Sequence, residues 1–350
     1  MEVAVIGGGV IGLLSALRLA QHGHEVRVVE RGEPGREASW AAAGILGAQG
    51  EAERRGPFLD FCLRSLELYP ALAAELGDIG FSRCGALRLA FTEAEAEQLR
   101  AQQAWQSAAG LRAELLSHPG ARLALWQPDD GVVDNRKLTR ALRSALDGAR
   151  VRVLRARAVR LRFTRGALEA VEAEREVVPA RAAVVAAGAW SAEIAGSGIA
   201  PDALVPVRGQ MIAYDASPPA TVLIGGGGYA VPRPGRVLVG ATVEHEGFDR
   251  RTTDEGMASL RQVAARLLPE LAPMEPTDHW AGLRPGTRDG LPLIGRTLPG
   301  VVVATGHYRN GILLAPATAE LVVQLVEGTS PGLRAFAPGR FQDGPVASRA

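Results

Sequence analysis

The chain has 350 residues, 47% of them hydrophobic and 22% charged, and its 39 Lys+Arg against 38 Asp+Glu leave a formal net charge of +1. This length suits about two lobes, since domains usually run to roughly 100 to 200 residues, and the apolar content excludes extended disorder. So even a charge balance provides no global field to recruit nucleic acid or an anionic membrane. Cys62 and Cys84 are the only cysteines, too few for a disulfide framework or a thiolate metal site, and they read as structural thiols in a reducing cytosol. No basic leader precedes the first apolar run, and no uninterrupted apolar run reaches about 18 residues, so a cytoplasmic protein without a membrane span and without a metal is expected.

The first element is "EVAVI", short and β-branched, followed by "GGGVIG" and then by Leu13, Leu14, Leu17 and Leu19 at helical spacing. A second apolar run, "EVRVVE", ends at Glu30. Strand, glycine turn, helix and strand in this order make a βαβ unit, which requires a parallel sheet and a right-handed crossover. Gly7, Gly9 and Gly12 satisfy G-x-G-x-x-G where the strand turns into the helix. Gly7 permits the tight turn, Gly9 lets a pyrophosphate approach the backbone together with the N–H groups of Val10 and Ile11, and Gly12 lets the helix pack on the strand. Glu30 is placed to accept hydrogen bonds from a ribose diol, and Arg31 beside it reads as a solvated neighbour. The motif signals a dinucleotide without separating NAD from FAD.

Beyond this unit, "SWAAAGILGA" is small, apolar and broken by glycine, so it reads as a segment packed closely against something. Polar helical stretches near 57 to 77 and 92 to 109 read as a cap. "DNRKLTRALRSALDGA" sets Leu138, Ala141, Leu142, Ala145 and Leu146 on one helical face behind Asp134, an N-cap, and "RVRVLRARAVRLRF" is strand material. "AAVVAAGAWS" is a buried strand ending at Gly188. From Val205 to about Thr277 the pattern changes to short alternating strands around one helix, "DEGMASLRQVAARLLPEL", which is α+β rather than βαβ material. "VVVATGHYRNGILLAPATAELV" restores strand, glycine loop and helix, the helix starting at Pro316.

"WAGLRPGTRDGLPLIG" places Arg284 between Leu283 and Pro285. A cation in so apolar a setting needs a partner, because an unpaired buried charge is very costly. Either the protein supplies one, with Asp289 the obvious candidate, or a ligand carboxylate does. Asp289 is followed by Gly290 and reads better as a turn residue.

The segments "VIGGGVIG", "SWAAAGIL", "GVVDNRKL", "VVAAGAWS", "PVRGQM", "YAVPRPGRVLVGATVE", "WAGLRPGTRDGLPLIG" and "GHYRNGILLAPATAELV", in this order and spacing, resemble the glycine oxidase group of thiamine-pathway type. That group lies within the D-amino-acid oxidase and sarcosine oxidase superfamily of flavoproteins. The resemblance implies an α/β protein: a discontinuous Rossmann-type FAD-binding lobe (1–50, 134–204 and 280–345) plus an α+β substrate lobe with a mixed or antiparallel sheet (51–133 and 205–279). It implies FAD held by Gly7 to Gly12, Glu30 with Arg31, Ala38 with Ser39, Ala43, Gly44 and Ile45, Val159, and the "GHYRNG" loop from His307 through Tyr308, Arg309, Asn310, Gly311 and Ile312 to Leu313.

Relatives that bind flavin covalently use a late cysteine or an early histidine, which this chain lacks, so the flavin is expected to be non-covalent. In similar oxidases the arginine matching Arg284 clamps the substrate carboxylate, the tyrosine matching Tyr229 donates a second hydrogen bond, and Arg309 guards the entrance or contacts the flavin. Four glycines precede Tyr229 where bulkier or polar residues are expected, sometimes a histidine at Gly227. The implied reaction is oxidative deamination of glycine or a similar small amine by dioxygen, in an enzyme that by analogy is a homo-oligomer such as a tetramer. Rival readings are another small-amine oxidoreductase acting on sarcosine, a D-amino acid or proline, a nicotinamide dehydrogenase, and a non-catalytic FAD-binding subunit in which Arg284 is structural.

Overall fold

The computed structural model describes residues 1–330 and 333–341. Its first sheet has six strands in the order Leu293–Arg296, Val301–Thr305, Ala182–Val185, Glu2–Ile6, Glu25–Glu30, Arg152–Arg155. All pairs are parallel except the first, which is antiparallel. Strands such as Ala182–Val185 and Val301–Thr305 are buried along their whole length, as a parallel sheet covered on both faces requires. One face packs under the helices Val10–Gln21, Asn135–Gly148 and Gly311–Glu327; a three-stranded antiparallel sheet, 158–179, covers the other. Gly12 packs against the carbonyl of Gly7, where a methyl group would overlap it. The strand that begins at Ala182 ends at Val185, short of Gly188, which instead opens the six-residue 3-10 helix Gly188–Glu193.

The second sheet has eight strands, in the order Asp278–Gly286, Val205–Tyr214, Arg236–Gly240, Gly228–Arg233, Val222–Gly225, Ala86–Ala90, Ala121–Gln127, Glu114–His118. Only Val222–Gly225 with Ala86–Ala90 is a parallel pair. Alternation along these strands sorts the two faces. Ile212, Tyr214, Leu223, Val237 and Val239 lie with helix Asp254–Leu267, whereas Met211 and Trp280 fall on the opposite side. That second face packs in part on Trp40, Ala41, Ala43 and Val132 and in part lines a cavity.

Two placements differ from the sequence reading. Residues 280–286 were grouped with the nucleotide lobe, but Asp278–Gly286 pairs along its length with Val205–Tyr214 in the eight-stranded sheet. Helix Pro57–Leu76 was read as cap material, but Cys62, Leu66, Tyr69 and Leu72 enter the core shared with Val10–Gln21 and Gly311–Glu327. The end of the proposed 280–345 segment, from 342 onward, lies outside the described residues.

The helix expected to start at Pro316 starts instead at Gly311, with Pro316 inside it. A proline in mid-helix removes one i→i−4 hydrogen bond and crowds the carbonyl four residues back. Here the carbonyl of Ile312 accepts instead from the Tyr69 hydroxyl at 2.5 Å. One residue on, the Ser65 hydroxyl donates to the Leu313 carbonyl at 2.7 Å and accepts from the Ala317 N–H at 3.1 Å, bridging a second opened bond. Ser65 and Tyr69 are one helical turn apart, so a single face of Pro57–Leu76 repairs the proline break. Tyr69→Phe therefore leaves a buried carbonyl without a donor and is expected to cost about 1 to 3 kcal/mol of stability, read as a lowered urea midpoint. An unchanged midpoint counts against this repair.

Candidate active site

A cavity of about 810 Å³ reaches both sheets. Its wall includes Gly7, Gly9, Val10 and Ile11 of the glycine loop, then Glu30 with Arg31, Ala38 with Ser39, and Ala43 to Ile45. Val159, His307 to Ile312, Tyr229 and Arg284 complete the set that the sequence singled out. Gly12 and Leu313 do not reach it. Gly12 is spent on helix packing, and Leu313 is buried in the core with its carbonyl on Ser65.

At the glycine-loop end, the Glu30 carboxylate accepts from the N–H groups of Gly8 at 2.7 Å and Gly32 at 2.8 Å. This fixes its orientation while leaving further lone pairs for a ligand hydroxyl. Helix Val10–Gln21 begins here, and its Val10 N–H donates to the Ser39 hydroxyl at 2.9 Å. Ser39 thus caps a helix from another segment. Arg31 is exposed, as a solvated neighbour is, and its guanidinium also lies 3.6 Å from the Trp190 ring centroid and pairs with Glu37 at 3.0 Å. Two helix N-termini, those of Val10–Gln21 and Gly311–Glu327, open on the cavity and favour negative charge there.

The "SWAAAG" segment has only a four-residue helical turn, Ala38–Ala41, and is suspended by side chains from elsewhere. Asn135 donates to the carbonyls of Ser39 at 2.8 Å and Trp40 at 3.0 Å. The Trp280 indole donates to Ala41 at 3.0 Å, and Arg233 donates to Ala43 at 2.5 Å and Val133 at 2.9 Å.

At the other end the sheet floor decides the geometry. Gly209 faces Arg284, and a methyl group there would overlap all three atoms at the tip of the guanidinium. The arginine therefore lies flat on the sheet, donating to the carbonyls of Thr242 at 3.0 Å and Arg208 at 3.4 Å. No carboxylate pairs with it among the described residues. Asp289 pairs with Arg340 at 2.7 Å and accepts from the Leu291 N–H at 3.0 Å, so it is a turn residue with its own cation. Arg208, a buried arginine on the neighbouring strand, is by contrast paired with Glu244 and, at 3.4 Å, with Asp249.

Tyr229 lies over Gly240 in the same way, its hydroxyl 3.2 Å from the Met211 sulfur. Burial pushes the phenol above its ordinary value and Arg284 beside it pulls it back, so it remains a protonated donor at neutral pH. Arg309 pairs with Glu51 at 3.0 Å at the cavity wall, and Asn310 also reaches Glu51, at 3.3 Å. The Gly225–Gly228 run forms the turn of a hairpin, with Gly226 and Gly227 at φ +59° and +87°.

Sequence reasoning missed Glu51, Arg88, Asn135, Arg233 and the two floor glycines. Arg88 had a readable signal, a cation within the apolar strand "ALRLA", the same signal that drew attention to Arg284.

A dinucleotide cradle joined to a half-buried, unpaired arginine defines an oxidoreductase that binds a carboxylate substrate. Comparison with known proteins agrees with this class. The family described as FAD dependent oxidoreductase matches residues 2–325, and the chain belongs to it, with FAD as its cofactor. The chain is 37% identical to a glycine oxidase of Pseudomonas aeruginosa over 94% of its own length and 96% of the relative's. It superposes on the crystal structure of glycine oxidase from Geobacillus kaustophilus with a TM-score of 0.91 at 36% identity, covering 97% of this chain and 98% of that one. It is also 37% identical to a protein of Synechocystis sp. named bifunctional ThiO/ThiG, matching 97% of this chain and 54% of that one.

His307 supplies a pH test of the site's burial. Its imidazole is fully enclosed, with Nε2 3.0 Å from the Thr318 hydroxyl, and burial pushes it down to about 3. Above pH 6.5 neither the folded nor the unfolded chain protonates this group, so its contribution does not vary there. As pH falls from 6.5 toward 3, only the unfolded chain takes up the proton, and stability is lost. Relative to wild type, His307→Asn is expected to lose less stability between pH 6.5 and 4, by up to about 1.4 kcal/mol per pH unit, measured by urea unfolding. Parallel pH profiles count against it.

Proposed function

We propose that this protein oxidises glycine and similarly small amines to the imino acid, with FAD as the immediate electron acceptor and dioxygen as the terminal one. Water then hydrolyses the imine, so that glycine, dioxygen and water yield glyoxylate, ammonia and hydrogen peroxide. The observation that carries this reading is Arg284, a guanidinium spread over Gly209 beside the Tyr229 hydroxyl and paired with no carboxylate among the described residues. The glycine oxidases among its relatives support the substrate class.

The residues present fit a non-covalent FAD. Gly7 to Ile11 and Glu30 form a backbone cradle with an oriented acid at one end, and the start of helix Gly311–Glu327 provides a second positive helix terminus at the other. We assign FAD to the lobe of the six-stranded sheet and the amine to the floor of the eight-stranded sheet. Bound in this cradle, FAD supplies the two-electron acceptor.

The chain's own residues orient. Arg284 takes the substrate carboxylate, Tyr229 donates to it, and the glycine floor keeps both side chains out of the space where the α-carbon must lie. Holding a reacting carbon at attack distance is worth several kcal/mol of barrier (roughly 7 to 11 in the best-aligned cases), so orientation can dominate without a protein base. His307, neutral at working pH, is no proton donor. No helix among the described residues is long and apolar enough to cross a membrane, and both cysteines are free; we place the enzyme in the cytoplasm, supplying imino acid for thiazole synthesis.

Peroxide release from the FAD-loaded protein with glycine, sarcosine and D-alanine tests the reaction, and failure with all three refutes it. Arg284→Ala is expected to lower kcat/KM at least 100-fold while the visible flavin spectrum persists; about 3 kcal/mol is what a charged hydrogen-bond pair contributes. Normal turnover by this variant would make the arginine structural. Gly209→Ala is expected to displace the same guanidinium and raise KM for glycine at least tenfold, with flavin retained. An unchanged KM sinks the floor argument.

A further inference from the structure

A second arginine faces the cavity from the far side of the floor. Arg88 stands on strand Ala86–Ala90 between Leu87 and Leu89, which pack on the face covered by helix Asp254–Leu267, so alternation turns Arg88 to the cavity face. Cross-strand register puts it level with Ile224, and Ile224 level with Tyr229. Neighbouring strands lie about 4.8 Å apart, so Arg88 and Tyr229 leave backbones about 10 Å apart in one row.

Arg88 is held by a built set of polar groups. Its Nε donates to Gln127 at 3.0 Å, Gln127 donates to Gln106 at 3.0 Å, and Gln106 donates to the carbonyl of Gln49 at 3.0 Å. Gln49, Gln106 and Gln127 are each almost completely buried, an arrangement that costs desolvation and is offset only by satisfied hydrogen bonds. One terminal nitrogen fills the slot left by Gly50, where a methyl group would collide with it. Neither terminal nitrogen donates to a described residue, and no carboxylate among the described residues lies within ion-pair distance of the guanidinium.

The charges facing Arg88 are Glu51, Asp130 and Arg309. Glu51 is taken by Arg309 at 3.0 Å, and Asp130 is enclosed beside the Gln49 N–H with no ion pair to Arg88. One substrate carboxylate neutralises Arg284 and leaves Arg88 without an ion pair, in the longer-range field of Glu51 and Asp130 only. Both Arg88 and Gly227 line the same cavity, and a side-chain carbon at Gly227 would meet nothing within 4 Å.

We propose that Arg88 forms a distal carboxylate subsite, so that the pocket takes glycines carrying a carboxyalkyl group on nitrogen, with one carboxylate on Arg284 and the other on Arg88. This rests on the assignment of Arg284 to the amine's own carboxylate. The amine nitrogen then lies between two cationic anchors, and an amine lacking the second carboxylate has no ligand for one of them.

The test uses the FAD-loaded protein and isothermal titration with thioglycolates, which lack the oxidisable amine. Diacids bearing S-carboxymethyl, S-(2-carboxyethyl) or S-(3-carboxypropyl) groups are compared with neutral S-propyl thioglycolate. At least one diacid is expected to bind tenfold or more tightly than the S-propyl compound, and Arg88→Met is expected to cut that ratio at least tenfold. Ile224→Asp, which gives Arg88 a carboxylate across the strand pair, is expected to remove the preference with Arg88 still present. Absence of diacid preference in the wild type overturns the proposal whether or not either variant folds, as does an Arg88→Met ratio equal to wild type. If the preference holds and depends on Arg88 but neither glycine nor an N-carboxyalkyl glycine releases peroxide, the oxidase reading falls and the subsite stands.

Discussion

A buried peptide group must find a hydrogen-bond partner, and in two stretches of this chain several carbonyls take theirs from distant side chains. The segment from Ser39 to Ala43 lies in the cavity wall with no ladder of its own, and Gly311–Glu327 carries a proline that opens its first turns. Both are completed from a distance. Asn135 comes from the nucleotide lobe's helix, and Trp280 and Arg233 come from the eight-stranded sheet. The two lobes are thereby tied through the same five residues of backbone. Tyr69 and Ser65 do the equivalent for the helix that points its N-terminus at the cavity. These cavity walls are therefore held by hydrogen bonds from side chains that also belong to the two cores.

This explains which parts were legible in the sequence. The βαβ unit, its glycine loop and Glu30 are local: strand, turn and helix follow one another, and spacing alone places Gly9 beside the helix terminus. The Asp134 cap was readable for the same reason, its side chain accepting from the N–H groups of Arg136 and Lys137. Arg284 was readable because a cation between Leu283 and Pro285 contradicts its surroundings.

What was not legible is non-local. Nothing in "PVRGQM" reveals that Gly209 is the surface on which Arg284 lies, since that depends on register between Val205–Tyr214 and Asp278–Gly286. Pro316 misled because a first-turn proline and a repaired mid-helix proline look alike until Tyr69 is in place. Helix Pro57–Leu76 looked like a cap because its polar face is conspicuous, while its apolar face becomes meaningful only against Gly311–Glu327.

The cations of the eight-stranded sheet show how a site is set apart from structure. Arg208 and Arg284 lie on adjacent strands, and the chain supplies Glu244 and Asp249 to the first and only backbone carbonyls to the second. A protein selected for stability alone would treat both alike, since leaving a desolvated guanidinium without an anion is unfavourable. Arg88 repeats the pattern, because two buried glutamine side chains, Gln127 and Gln106, and the backbone carbonyl of Gln49 line up behind its Nε and leave the two terminal nitrogens toward the cavity. Unpaired positive charge is thus concentrated on one face of one sheet, opposite the helix termini that favour negative charge on the cofactor. An anionic ligand that binds these guanidinium groups only in the folded chain adds its binding free energy to folding stability, so that binding and stability are coupled through the same side chains.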